Sequence, residues 1–102
     1  LIQGKGFENK WFNKEFIYGS CVIFGEIQKD GITHLCETHQ DALKIHLDNG
    51  GCSICFFDPL NLFFIADSVK RLTKNIIVIA DTDETVFQCD KLNLINCKYY
   101  GE

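Results

Sequence analysis

The sequence predicts an α/β domain, built as a small, mainly parallel sheet with flanking helices and an N-terminal antiparallel hairpin strand. Two observations carry this prediction. Ile76–Ala80 is a run of five apolar residues, four of them β-branched, which reads as a strand buried on both faces. Apolar runs at Ile32–Cys36 and Cys52–Phe57 repeat the signal, and segments of helical period separate the three. The order strand, helix, strand, helix, strand implies right-handed crossovers between parallel strands.

Residues 1–15 read as an N-terminal extension anchored by Trp11 and Phe12, and the domain is expected over 16–102. Phe16–Ile27 is dense in Phe, Ile, Val and Tyr, which favours a strand, with a bend at Gly19-Ser20. Asp30-Gly31 between apolar runs is a hairpin signal, pairing that strand with Ile32–Cys36. Thr38-x-x-Asp41 then resembles a capping box that opens a helix. Ala42, Leu43, Ile45, His46 and Leu47 form its apolar stripe, and Asn49-Gly50-Gly51 stops it.

After the strand Cys52–Phe57, Asp58-Pro59 opens a second helix, because proline fits a first turn where its missing N–H is not needed. Leu62, Phe63, Ile65, Ala66, Val69 and Leu72 are its apolar set, and Lys70, Arg71 and Lys74 suit its C-terminal end. Beyond the third strand, residues 84–102 have apolar positions without a clean period and read as helical, fraying toward Tyr99-Tyr100.

Composition limits the function. The 102 residues are 46% hydrophobic, with nine Phe and one Pro, which makes one small globular domain. No apolar run approaches the roughly 20 residues of a membrane span, and no signal-peptide pattern is present at the start. The chain opens at Leu1 and lacks methionine, so it reads as a piece of a longer protein. Its charge of −4, with Lys5, Lys10, Lys14, Lys70, Arg71 and Lys74 scattered, argues against an autonomous nucleic-acid binder. Six cysteines in or beside apolar segments read as reduced, mostly buried thiols of a cytoplasmic protein. Cys36-x-x-His39 with Cys52-x-x-Cys55 matches zinc spacing on paper, but Cys55 lies inside a strand, Cys36 ends one and His39 begins a helix, whereas zinc knuckles use turns. His34, His39 and His46 read as packing or helix-surface groups, having no nucleophile beside them.

Chemistry is expected just past the carboxyl ends of the strands. Asp81 and Asp83 are alternate residues there and point the same way. Two such carboxylates repel unless a proton or a cation neutralises them. Mg2+ (or Mn2+) suits them, being hard and taking few oxygen ligands from protein. The plainer reading makes both acids helix caps. Glu37 ends another strand, and if the strands are neighbours all three carboxylates share one crevice.

From about Phe16 to Glu84 the chain resembles a Toprim domain, the catalytic fold shared by primases and topoisomerases, in its plasmid and phage primase version and with a Rossmann-like topology. The matching pieces are Phe24-Gly25-Glu26, Ile32-Thr-His-Leu-Cys-Glu37, Asp41-Ala42 with His46, Phe57-Asp58 with Asn61-Leu62, and Ile77-Val-Ile-Ala-Asp-Thr-Asp83. The resemblance implies that Glu37 serves as general acid or base in phosphoryl transfer and that Asp81 and Asp83 hold Mg2+ or Mn2+. It places Asn61, with Asp58 beside it, at a turn expected to touch substrate or cap the helix. The implied activity is metal-dependent nucleotidyl transfer in primer synthesis for DNA replication. Nucleotides and single-stranded DNA template are the implied partners, held through other domains of a longer protein.

The sequence departs from the pattern at Thr38, where the family usually has glycine after the glutamate, and no further acid cluster follows Glu84. A nuclease of the same fold and a non-catalytic α/β interaction module, its acids serving as caps and surface, are the competing readings.

Overall fold

The computed structural model describes residues 21–97. The expected N-terminal extension, the bend at Gly19-Ser20 and the tail at Tyr99-Tyr100 lie outside the described residues. In chain order the elements are β1 (Val22–Phe24), β2 (Thr33–Cys36), α1 (His39–Asn49), β3 (Cys52–Cys55), α2 (Pro59–Lys70), β4 (Ile76–Ile79), α3 (Asp83–Leu92) and β5 (Ile95–Cys97). They form an α/β fold around one five-stranded sheet ordered β1-β3-β2-β4-β5. β3, β2, β4 and β5 are parallel, and β1 runs antiparallel on β3.

The period-2 alternation of each strand divides the core in two. Leu35, Ile54 and Val78 are register partners facing α2 and α3, where they meet Leu62, Ile65, Ala66, Val69 and Cys89. Cys36, Cys55 and Ile79 face the other way and meet Ala42 and Ile45 of α1 with Val22. Phe56, Leu35, Ile54, Leu62, Ile65, Val69 and Val78 are fully buried, each contributing about 1.5–3 kcal/mol of transfer free energy. Cys52 and Cys55 fall into the two different clusters, on opposite faces of β3, so they cannot share a metal as the zinc spacing would need.

Helix ends follow the side-chain chemistry read from the sequence. Thr38 caps α1, its Oγ1 accepting from the Asp41 N–H at 3.1 Å. Gly50 ends α1 at φ 77°, its N–H donating to the His46 carbonyl. Asp58 caps α2, with Pro59 in the first turn and Oδ1 accepting from the Leu60 N–H at 2.9 Å. Lys70 Nζ donates to the Leu92 carbonyl at 3.0 Å, tying the ends of α2 and α3.

Three expectations need correction. The strand before Asp30-Gly31 does not form a hairpin with β2. The turn exists, with the Gly31 N–H bonded to the Gln28 carbonyl at 3.1 Å, but both edges of β2 are taken by β3 and β4. β1 therefore joins the outer edge of β3. Residues beyond Glu84 are not helical throughout. Asn93 adopts φ 57°, a left-handed conformation that ends α3, and Ile95–Cys97 then adds β5 beside β4. Finally, Leu43, Leu47 and Phe63 are exposed rather than in the core, because each helix turns a narrower stripe to the sheet than its apolar residues span.

Gly25 explains how the chain passes from β1 toward β2. Its φ is 85°, and a β-carbon there would stand 2.7 Å from the Gly51 carbonyl oxygen and 3.2 Å from the His46 ring. Only glycine permits this close crossing at the amino end of β3. The same rim is closed by Thr73 Oγ1, which donates to the carbonyls of Lys29 and Gly31 at 3.1 and 3.3 Å. That pins the amino-end loops.

Candidate active site

β2 and β4 are the central pair of the sheet, with Cys36 opposite Ile79. From β2 the chain crosses through α1 to β3 on one side, and from β4 through α3 to β5 on the other. α1 and α3 lie on opposite faces. The loops leaving β2 and β4 therefore diverge, and ligands of open α/β sheets bind in the crevice such a switch point makes. Glu37 is the first residue after β2 and Asp81 lies two after the end of β4. Their proximity follows from topology, not from nearness in sequence.

The side chains meet through threonine. Thr85 Oγ1 donates to Glu37 Oε1 at 2.9 Å, and Thr82 Oγ1 lies 3.3 and 3.4 Å from Oε1 and Oε2. Thr82 is the N-cap of α3 and stands between Asp81 and Asp83 in the chain, so the contact brings Glu37 against the Asp-Thr-Asp segment. Thr85 is fully buried, which fixes its hydroxyl, whereas Glu37 is half-buried and Asp81 and Asp83 are exposed. Asp83 and Glu84 sit in the first turn of α3, where the helix dipole favours negative charge. The hydroxyls of Thr38 and Thr82, not the acids after β4, cap α1 and α3.

Burial pushes the Cys36 thiol far up from its ordinary value, and the nearby charges of Asp41 and Asp81 add to the effect. Cys55 Sγ donates to the Glu37 carbonyl at 3.6 Å, and burial raises its thiol to about 11. Neither sulfur has thiolate character, so both serve as packing beneath the rim.

Asp58 and Asn61 stand at the neighbouring carboxyl end, after β3. Asp58 caps α2, and Asn61 Nδ2 donates to the Phe56 carbonyl at 3.1 Å. Each has a structural partner. Between them and the strand, Phe57 adopts φ 63°, and the Asp58 N–H closes on the Phe56 carbonyl at 2.6 Å. This is a γ-turn about a left-handed residue, a conformation costing about 1–3 kcal/mol for a side chain of this kind.

Carboxylate oxygens such as those of Glu37, Asp81 and Asp83 are the donors a hard cation prefers. Among the described residues no group of three or more His, Cys, Asp or Glu is gathered as a metal cage. An ion here would take one or two protein carboxylates and complete its shell with water and phosphate oxygens, the usual manner of Mg2+. Glu37, Asp81 and Asp83 carry oxygen donors of the right kind for such an ion, but among the described residues they are not gathered into one cluster.

Thr82, Thr85 and Phe57 were not singled out in the sequence. A threonine before the acidic pair Asp83-Glu84 is a helix-start signal that marks Thr82 as a cap, whereas nothing local marks Thr85 or Phe57. No protein-family model, curated protein or solved structure matches the chain. The Toprim resemblance therefore rests on the motifs themselves.

Proposed function

We propose that the chain is the Toprim-type catalytic domain of a primase-like protein, acting on nucleotide phosphates with Mg2+ or Mn2+. The observation that carries the reading is the approach of Glu37 to the Asp81-Thr82-Asp83 segment through Thr82 and Thr85, across 45 and 48 residues. In this reading Asp81 and Asp83 hold the cation, which would offset negative charge developing on a phosphate. Glu37 moves a proton at the attacking or leaving oxygen. Thr85 orients the Glu37 carboxylate from below, and Asp58 and Asn61 set the adjoining turn against the substrate.

Single-stranded DNA template and nucleotides are the partners in this reading. At a net charge of −4 the chain relies on other domains, or on the cation, to hold a polynucleotide. The described cysteines are all free thiols, as suits a reducing cytoplasm. Among the described residues no helix is long and apolar enough to cross a membrane.

One observation favours a second reading. Glu37 is already hydrogen-bonded by two threonines, as expected of a non-catalytic interaction module whose acids serve the fold. Titration with Mg2+ and Mn2+, followed by amide shifts, separates the two. Saturable changes confined to Glu37, Asp81, Asp83 and their neighbours, lost in Asp81→Asn, are expected of the catalytic domain. The absence of a site-specific response to either ion favours the interaction module. Primer synthesis from ribonucleotides on single-stranded template, against strand cleavage, then distinguishes a primase from a nuclease.

A further inference from the structure

We propose that Phe57 is a stacking platform for the nucleobase of the nucleotide or single strand whose phosphate faces Glu37 and the Asp81–Asp83 segment. The inference rests on the functional reading above and adds what holds the rest of the substrate.

Phe57 is a large apolar side chain, 41% exposed, immediately after the fully buried Phe56. Its backbone is left-handed at φ 63°, where glycine, asparagine or aspartate would be tolerated better. A phenylalanine here leaves 41% of its surface uncovered and holds a backbone conformation that is unfavourable for its side chain. Yet the position is over-determined by its neighbours. Phe56 N–H donates to the Cys36 carbonyl at 2.8 Å, and the Phe56 carbonyl accepts from both the Asp58 N–H and Asn61 Nδ2. The next two N–H groups along are fixed as well, Leu60 N–H on Asp58 Oδ1 at 2.9 Å and Asn61 N–H on the Asp58 carbonyl at 2.8 Å. Strain held in place this firmly is characteristic of sites where it positions a group for a ligand.

Placement supplies the ligand. Phe57 leaves the carboxyl end of β3, whose neighbour β2 delivers Glu37 and whose next neighbour β4 delivers Asp81. Strands lie roughly 5 Å apart, so the aromatic position stands one spacing from Glu37 and two, roughly 10 Å, from the acids after β4. A nucleotide separates its phosphate from its base by a sugar and would reach along this rim. Leu60, 64% exposed in the first turn of α2, adds a second apolar residue close in sequence to the ring. Stacking on an aromatic face is indifferent to base identity, because every base has a π-face. A template-directed enzyme needs that tolerance.

Two ligands test the proposal, adenosine 5′-monophosphate and ribose 5-phosphate, each titrated with Mg2+ into the full chain and followed by NMR. For the natural sequence the adenine protons should shift upfield, the Phe57 ring resonances should move, and the nucleotide should bind more tightly than the sugar phosphate. Phe57→Leu should weaken nucleotide binding by about 5- to 150-fold, abolish the adenine shift, and leave ribose 5-phosphate binding unchanged. Phe57→Gly, which removes the ring while tolerating the backbone conformation, should weaken the nucleotide equally. Equal binding of the two ligands, or unchanged nucleotide binding in Phe57→Leu, overturns the stacking role and leaves the catalytic reading standing. Failure of both ligands to bind the natural sequence rejects the catalytic reading, and the stacking role with it.

Discussion

Thr85 Oγ1 stands 2.9 Å from Glu37 Oε1, joining the first turn of one helix to the end of a strand 48 positions earlier. The hydroxyl is buried and the carboxylate half-exposed, so this contact sets where the carboxylate points. Thr85→Val keeps the shape and removes the donor. A hydrogen bond to a charged group is worth about 1.5–3 kcal/mol, and water can partly replace this one, so a loss of about 1–2 kcal/mol is expected. Thr82→Ala removes the α3 cap as well, itself worth about 1 kcal/mol, and should be at least as harmful. Urea unfolding measures both, and an unchanged midpoint in Thr85→Val would show that the contact does not stabilise the fold.

The glycines at 25 and 50 share a left-handed backbone but not surroundings. A β-carbon at Gly50 meets nothing within 4 Å, whereas at Gly25 it meets the Gly51 carbonyl oxygen at 2.7 Å. Gly50→Ala should therefore cost only the conformational penalty, about 1 kcal/mol. Gly25→Ala should cost distinctly more, because backbone must move. Comparable melting temperatures for the two variants would contradict this ranking.

Burial lowers the His34 imidazole from its ordinary value of 6.5. The folded chain holds the ring neutral, so between that lowered value and 6.5 the unfolded chain binds more protons. Stability from this group is present above pH 6.5 and declines as pH falls through the window. Melting curves at descending pH should show the decline, with His34→Gln flattening it. An unchanged pH profile in His34→Gln would assign the dependence to other groups.

Thiol reactivity should follow burial. Burial raises Cys52 to about 12 and both Cys55 and Cys89 to about 11, with Cys36 displaced further still. Because the thiolate is the nucleophile, these four should resist iodoacetamide in the folded chain at neutral pH. Exposed Cys97 should react first. Mass spectrometry of partly alkylated protein reads the order, and early modification of Cys36 or Cys52 would mean the sheet opens readily.

Hydrophobic period made the alternation of strands and helices legible, and local chemistry marked the cap at Thr38, the first-turn proline at Pro59 and the stop at Gly50. Pairing is a property of the whole sheet. Nothing near Asp30-Gly31 reveals that β3 and β4 occupy both sides of β2, so the hairpin signal pointed β1 to the wrong neighbour. β5 escaped notice because Ile95, Asn96 and Cys97 are too few to show alternation, and Ile95 is 69% exposed. At the candidate site, the acids were visible as strand-end residues. Their threonine partners were not, since a hydroxyl that reaches across 45 residues resembles any other helix cap. The left-handed Phe57 runs against local preference, so no reading of propensity would have found it.

The Thr82 hydroxyl meets its two partners through different ends. Its lone pair receives the Thr85 N–H at 3.3 Å, while its single proton is what Glu37 can accept. Should the carboxylate swing away to serve a substrate, the lone pair stays engaged and the start of α3 remains wound. The stranded proton has a second acceptor in Thr85 Oγ1, 3.1 Å away. Glu37 is thus moored to the helix by bonds that can be cast off without unravelling what it was tied to.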